Sequence, residues 1–344
     1  MKNKAPLKKY DITQCALYKC RTKKRLEHLL CLEPGGLKMI DNIIGYHKFE
    51  IDKKHSKEKR EITAPDKTLK AIQRRILYLL HRVIRPDWLI SGEKQKCYID
   101  NGKAHLEAKY VLTIDIKKFY DNCTREPVYQ FFLQKLITSP DVAEMLTNII
   151  TYNGGIPTGC PTSQIMAFYA YSDMFSEISE LAEQCGCKFT LYVDDMTFSS
   201  KEPFSPDQLR QKIDRVLRRY RHKPKYTKVK YYGSSDYKSI TGTIITPKQT
   251  LAVPNGLQKT IYNAFQEVKP LIGTEVRSEE DAKQILSLKG QIQAARNIED
   301  GKFPEIKRLT NQIRTPGSQS SSKQNGYARK YSKKIRITRD AVAK

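Results

Sequence analysis

Apolar positions along the chain change their spacing from segment to segment, and the spacing predicts the elements. Over residues 69–83 the side chains Leu69, Ile72, Ile76, Leu79, Leu80 and Val83 recur on one helix face, with Lys70, Arg74, Arg75 and Arg82 off it. Asp66 stands where a helix cap belongs, and Pro86 where the chain must leave the helix. The same periodicity predicts helices over 25–32, 126–137, 162–183, 207–221, 256–268 and 279–296. Alternation predicts strands elsewhere: Phe49 and Ile51 answering Ile62 across a charged turn, "YVLTID" ending at Asp115, a stretch over 189–200, and another over 239–253. Helices interleaved with a few well-separated strands argue for an α+β fold over a doubly wound α/β sheet.

Within 189–200, "FTLYVDDMTFSS" places Phe189, Leu191 and Val193 on one strand face and starts a returning strand at Met196, so Asp194 and Asp195 fall near a hairpin turn. Two carboxylates a few ångströms apart do not both ionise comfortably at neutral pH without a cation, and a divalent metal neutralises them more completely than a lysine. An isolated Asp-Asp pair is more often an ordinary acidic turn, so the reading needs a third acid. Asp115 supplies it, at the end of its strand and about 80 residues upstream. If the two strands are sheet neighbours, the three acids can hold two Mg²⁺ ions ~3.5–4 Å apart, the arrangement for in-line attack of a hydroxyl on a phosphate.

Charge adds a partner. Lys and Arg number 62 against 37 Asp and Glu in 344 residues, a formal +25 that calls for a polyanion, nucleic acid ahead of a membrane surface. No apolar run reaches the ~18 residues of a spanning helix, and the first residues lack an apolar signal core, so the expectation is a cytoplasmic protein with no membrane partner. The 8 cysteines offer no second pair to complete a zinc site and read as reduced thiols. After Ile313, "RTPGSQSSSKQNG" has linker composition, and the basic "YARKYSKKIRITRD" with Tyr327 and Tyr331 suits phosphate contact and base stacking.

These residues resemble a known family. "YVDD" at 192–195 with the upstream Asp115, "GIPTGCPTS" at 155–163 and "REITAPDKTLKAIQRRIL" at 60–77 are similar to the motifs of reverse transcriptases, in their order and spacing. "DNGKAHL" at 100–106 resembles the Asn-Ala-x-x-His element of the retron branch with Gly102 for alanine, and "SITGTIITP" at 239–247 resembles its Val-Thr-Gly element with Ile240 for valine. "LSLKGQIQAARNI" at 286–298 is similar to the thumb of bacterial members.

The resemblance implies a right-hand polymerase fold: a basic helical region at 1–45, fingers with part of the palm at 46–110, the remaining palm and fingers at 111–250, a thumb at 251–313 and a basic tail at 314–344. It implies Asp115, Asp194 and Asp195 as the catalytic acids and, with Ile116, as the site of two Mg²⁺ ions. Arg60, Lys70, Thr158 and Lys228 would meet the nucleotide, with Lys225 an alternative to Lys228. Tyr120 would exclude a ribose 2′-hydroxyl, and Asn101, His105, Thr241 and Gly242 would bind RNA. Three departures stand out: Thr158 where the family has glutamine, Gln164 where it has proline, and Val193 where the retron branch commonly has alanine. The implied activity is RNA-directed DNA synthesis from dNTPs on a structured non-coding RNA, leaving a linked RNA–DNA product (msDNA), within an antiphage defence system that includes an accessory effector protein. A group II intron-type or other bacterial reverse transcriptase, or a catalytically inactive RNA-binding scaffold, remain alternatives; the three aspartates speak against the last.

Overall fold

The computed structural model describes residues 8–42, 44–52, 59–273 and 278–313; the basic tail with Tyr327 and Tyr331 lies outside them. At its centre is a four-stranded antiparallel sheet in the order Lys188–Tyr192, Asp195–Ser200, Tyr110–Asp115, Lys230–Tyr232. The strand Tyr110–Asp115 is covered on both faces: Leu112 and Ile114 belong to the main core, while Val111 belongs to a small cluster with Ala108, Ile240 and Ile245. Burial on both faces explains why its sequence is a near-continuous apolar run.

Two smaller sheets flank this one. Tyr46–Asp52 and Lys59–Pro65 form an antiparallel ribbon in which Phe49 pairs with Ile62, as the alternation predicts. Lys238–Ile240, Thr243–Ile245 and Leu251–Ala252 form a three-stranded sheet. The helix Lys67–Leu80 starts at Asp66, whose carboxylate accepts from Leu69 N at 2.8 Å, and it buries Leu69, Ile72, Ile76, Leu79 and Leu80. Asn255–Val268, Glu279–Ile298 and Pro304–Gln312 close around a second core that includes Ile261, Phe265, Ile285, Leu288 and Ile292.

The structure departs from the periodicity in several places, among them the segment predicted as a helix over 126–137, which is α-helical over Arg125–Gln130 and π-helical over Phe131–Lys135. The segment predicted as one helix over 162–183 is two, Ser163–Ala170 and Ser172–Gln184, broken at Tyr171. The Tyr171 hydroxyl accepts from Thr124 N and donates to Asn122 O, each at 3.1 Å, so its side chain is committed to the loop after Tyr110–Asp115. The helix Pro140–Ile150 is additional; its buried Val142, Ala143, Leu146, Ile149 and Ile150 carry helix spacing behind a proline in the first turn, a signal present in the sequence. Tyr98–Lys103 and Pro304–Gln312 are also additional, each too short for periodicity to declare.

Candidate active site

The acids meet through sheet register. Tyr192 pairs with Asp195, leaving Val193 and Asp194 as a two-residue turn, and Asp195 lies opposite Asp115 on the neighbouring strand. Just past Asp115, Ile116 N donates to Asp194 O at 3.2 Å, closing the turn onto the strand end. Val193 takes φ +62, a left-handed conformation that is strained for a β-branched residue.

Electrostatics follow from this convergence. Asp194 is pushed up to about 7 by burial and by the neighbouring charges of Asp195 and Asp115. Asp195 rises to about 6, through burial and then Asp115, with Lys228 opposing. Lys228 Nζ donates to Asp115 Oδ2 at 2.6 Å, which raises the lysine above its ordinary value. Of the two lysines, Lys228 is the one whose side chain reaches Asp115, whereas Lys225 contributes its backbone N–H to Asp115 O at 2.7 Å.

Could these residues hold a divalent cation? Two carboxyls whose charged forms are disfavoured by each other, and by a third acid, form a hard-oxygen donor set that gains by taking one up. Among the described residues no group of three or more His, Cys, Asp or Glu side chains is arranged to hold a metal ion as it stands.

Residues 51–245, more than half of the chain, match the family described as reverse transcriptase (RNA-dependent DNA polymerase). The chain belongs to that family. It is 27% identical over 167 residues to the retron Se72 reverse transcriptase of Salmonella heidelberg, covering 48% of this chain and 44% of that one. It is 29% identical over 158 residues to the retron Ec86 reverse transcriptase of Escherichia coli, covering 45% and 49%. The chain spans about half the length of these curated relatives. Among solved structures it is similar to apo telomerase from Candida tropicalis, with a TM-score of 0.46, 14% identity, and coverage of 62% of this chain and 55% of that one. Reverse transcriptases generally use divalent metal ions, in keeping with the donor set above. Among the described residues no helix is long and apolar enough to cross a membrane.

Around these acids, Tyr120 is half-buried, and its hydroxyl is raised chiefly by burial, with Cys123 and Asp194 adding to the rise and Arg60 lowering it. Arg60, exposed on Lys59–Pro65, lies within electrostatic reach of the Tyr120 hydroxyl. Lys70, in the first turn of Lys67–Leu80, is close enough to Cys160 to act on it in the same way. Thr158 is placed differently from the expectation: its hydroxyl donates to Glu61 O at 3.0 Å and its carbonyl accepts from Thr63 N at 2.8 Å. In this structure it ties the 155–163 loop to the outer ribbon.

The assignment of Asn101 and His105 to RNA contact is corrected by burial, which leaves them 0% and 1% exposed. The Asn101 amide bridges Thr241 Oγ1 at 2.9 Å and Thr190 Oγ1 at 2.6 Å. His105 Nε2 reaches the same Thr190 hydroxyl at 2.7 Å, and Nδ1 reaches Ser199 Oγ at 2.6 Å. Because Thr190 gives its single proton to Asn101, His105 donates from Nε2 and accepts at Nδ1. Burial holds the ring neutral, pushed down to about 3. The two elements picked out for RNA are therefore bonded to each other and to both strands of the Asp194–Asp195 hairpin. Of the four residues named for RNA, only Thr241, half-buried at φ +40, and Gly242, exposed at φ +81, reach the surface. Gly102 has its own reason: a Cβ there would lie 2.3 Å from Thr243 Oγ1, so alanine does not fit.

Proposed function

We propose that this chain is a retron RNA-directed DNA polymerase that copies a structured non-coding RNA into DNA held with its template as msDNA. The observation that carries the proposal is the register that sets Asp115 against Asp195 beside the Asp194 turn, with Lys228 on Asp115. In this reading the ribbon at 46–65 belongs to the fingers, the four-stranded sheet to the palm, and the helices from Asn255 to Gln312 to the thumb.

Asp115, Asp194 and Asp195, with Ile116 beside them, would hold two Mg²⁺ ions, which when bound supply charge neutralisation at the entering and leaving oxygens. Lys228, kept protonated by Asp115, stands ready to meet negative charge on the leaving pyrophosphate. Arg60 and Lys70 flank the triphosphate, and the Tyr120 ring lies under the sugar, where a 2′-hydroxyl would collide with it. Thr241 and Gly242 present backbone and hydroxyl to the RNA. The partners are dNTPs, the cognate RNA and its DNA product, with an effector protein in a cytoplasmic defence system.

The test is primer extension on an RNA template by the wild type and by Asp115→Asn, joined to recovery of nucleic acid that copurifies with the protein. Extension abolished in the variant and copurified RNA–DNA sensitive to debranching enzyme support the proposal. Extension by Asp115→Asn at the wild-type rate, or no DNA on the copurified RNA, refutes it.

A further inference from the structure

Val193 holds a conformation its side chain disfavours at the turn that presents Asp194 and Asp195, so something outside the turn must fix it. Packing does not do so on every side, because Val193 and Leu191 border a cavity of about 150 Å³ that Phe168, Gln164 and His81 also line. The Val193 N–H donates instead to Ser91 Oγ at 2.8 Å, and Ser91 is buried.

Ser91 is itself firmly set. Leu191 N donates to Trp88 O at 2.9 Å and Ile90 N to Leu191 O at 3.0 Å, so residues 88–90 lie alongside the hairpin as a short parallel edge. The ends of this segment are joined by the buried ion pair between Arg85 Nε and Glu93, and Lys9 Nζ adds a contact to Glu93 at 2.8 Å. Backbone pairing and an ion pair thus carry one hydroxyl to one amide of the turn, and no motif in the sequence marks it.

We infer that Ser91 is a positioning residue, which through its hydrogen bond to the Val193 amide keeps the turn in the conformation that presents Asp194 and Asp195. The inference rests on the proposed polymerase activity for its kinetic consequence, and on hydrogen exchange for its structural one. A turn held by an external bond spends more time out of register when the bond is lost, which lowers turnover and leaves nucleotide affinity nearly unchanged. Glycine at 193 has no side-chain penalty at positive φ and needs no such bond.

The experiment compares wild type, Ser91→Ala, Ser91→Thr, Val193→Gly and the double variant Ser91→Ala/Val193→Gly. Primer extension gives kcat and KM for dNTP, and hydrogen–deuterium exchange follows the peptide over 189–196. Ser91→Ala is expected to lower kcat about tenfold, the factor that corresponds to one hydrogen bond, with KM within about twofold. It should also speed exchange across the turn. Ser91→Thr, whose extra methyl has the cavity to enter, should keep both near wild type. In the Val193→Gly background the Ser91→Ala effect on kcat should shrink to less than about twofold. Unchanged exchange in Ser91→Ala, or an equal kcat loss in both backgrounds, overturns the role of Ser91. A wild-type protein that extends no primer while Ser91→Ala still speeds exchange refutes the polymerase reading and leaves the brace standing.

Discussion

Replacing Asp194 by asparagine should destroy activity and, without metal, make the protein more stable. The Asp194 carboxyl moves from an ordinary 3.8 to about 7 in the folded chain, through burial and the charges of Asp195 and Asp115. The unfolded chain releases its proton near the lower value and the folded chain keeps it to the higher one. Between them the folded state binds more protons, so stability falls as pH rises through that window. At ~1.4 kcal/mol per pKa unit the ceiling is about 4 kcal/mol above pH 8, and sharing of the repulsion with Asp195 makes about 2–4 kcal/mol the working figure. Asparagine keeps the shape of the protonated side chain and carries no charge to desolvate. In EDTA at pH 8 the Asp194→Asn variant should therefore melt about 3–6 °C above wild type, and the gap should close by pH 4. Adding Mg²⁺ should raise the wild type and leave the variant nearly where it was. Melting curves at pH 4, 6 and 8 decide the matter: a variant no more stable than wild type at pH 8 in EDTA, or a gap unchanged at pH 4, would refute this account of the cluster.

Three further outcomes follow from specific contacts. Glu93→Ala leaves the Arg85 guanidinium buried without its carboxylate and should cost about 3–5 kcal/mol in urea unfolding. Gly102→Ala should cost about 1–3 kcal/mol because its Cβ meets Thr243 Oγ1, and adding Thr243→Ala should return part of the loss; a Gly102→Ala protein as stable as wild type would show that the neighbouring turn yields freely. Tyr120→Ala should make ribonucleotide incorporation measurable in primer extension, and unchanged sugar selectivity would make that ring a packing residue.

Much of the site was legible in the chain because sheet register obeys a period of two. Alternation around "YVDD" and the run ending at Asp115 were enough to bring three acids together, and Asp66 announced its helix by its side-chain chemistry. The break at Tyr171 was hidden because the polar demand that causes it, the backbone at Asn122 and Thr124, lies about 50 residues away. Asn101 and His105 were misread for a related reason. A buried Asn or His is indistinguishable from an exposed one in sequence, and their partners Thr190, Ser199 and Thr241 are ordinary hydroxyl residues in strands and a turn. Ser91 left no trace at all, since a single serine accepting one amide has no spacing to recognise.

The strand Tyr110–Asp115 has one further consequence. Val111 packs with Ile240 and Ile245, behind the outward turn of Thr241 and Gly242, while its neighbour Leu112 packs in the main core. One strand is thus a party wall between the sheet that presents that turn and the chamber where the acids sit. A redesign that alters the turn can exchange residues on its outer rim without disturbing Asp115, but a change of volume at Ile240 or Ile245 presses on Val111 and is passed along the backbone to the acid four residues on. Variation of the turn is therefore best confined to the rim, with the Val111 contact held at constant volume.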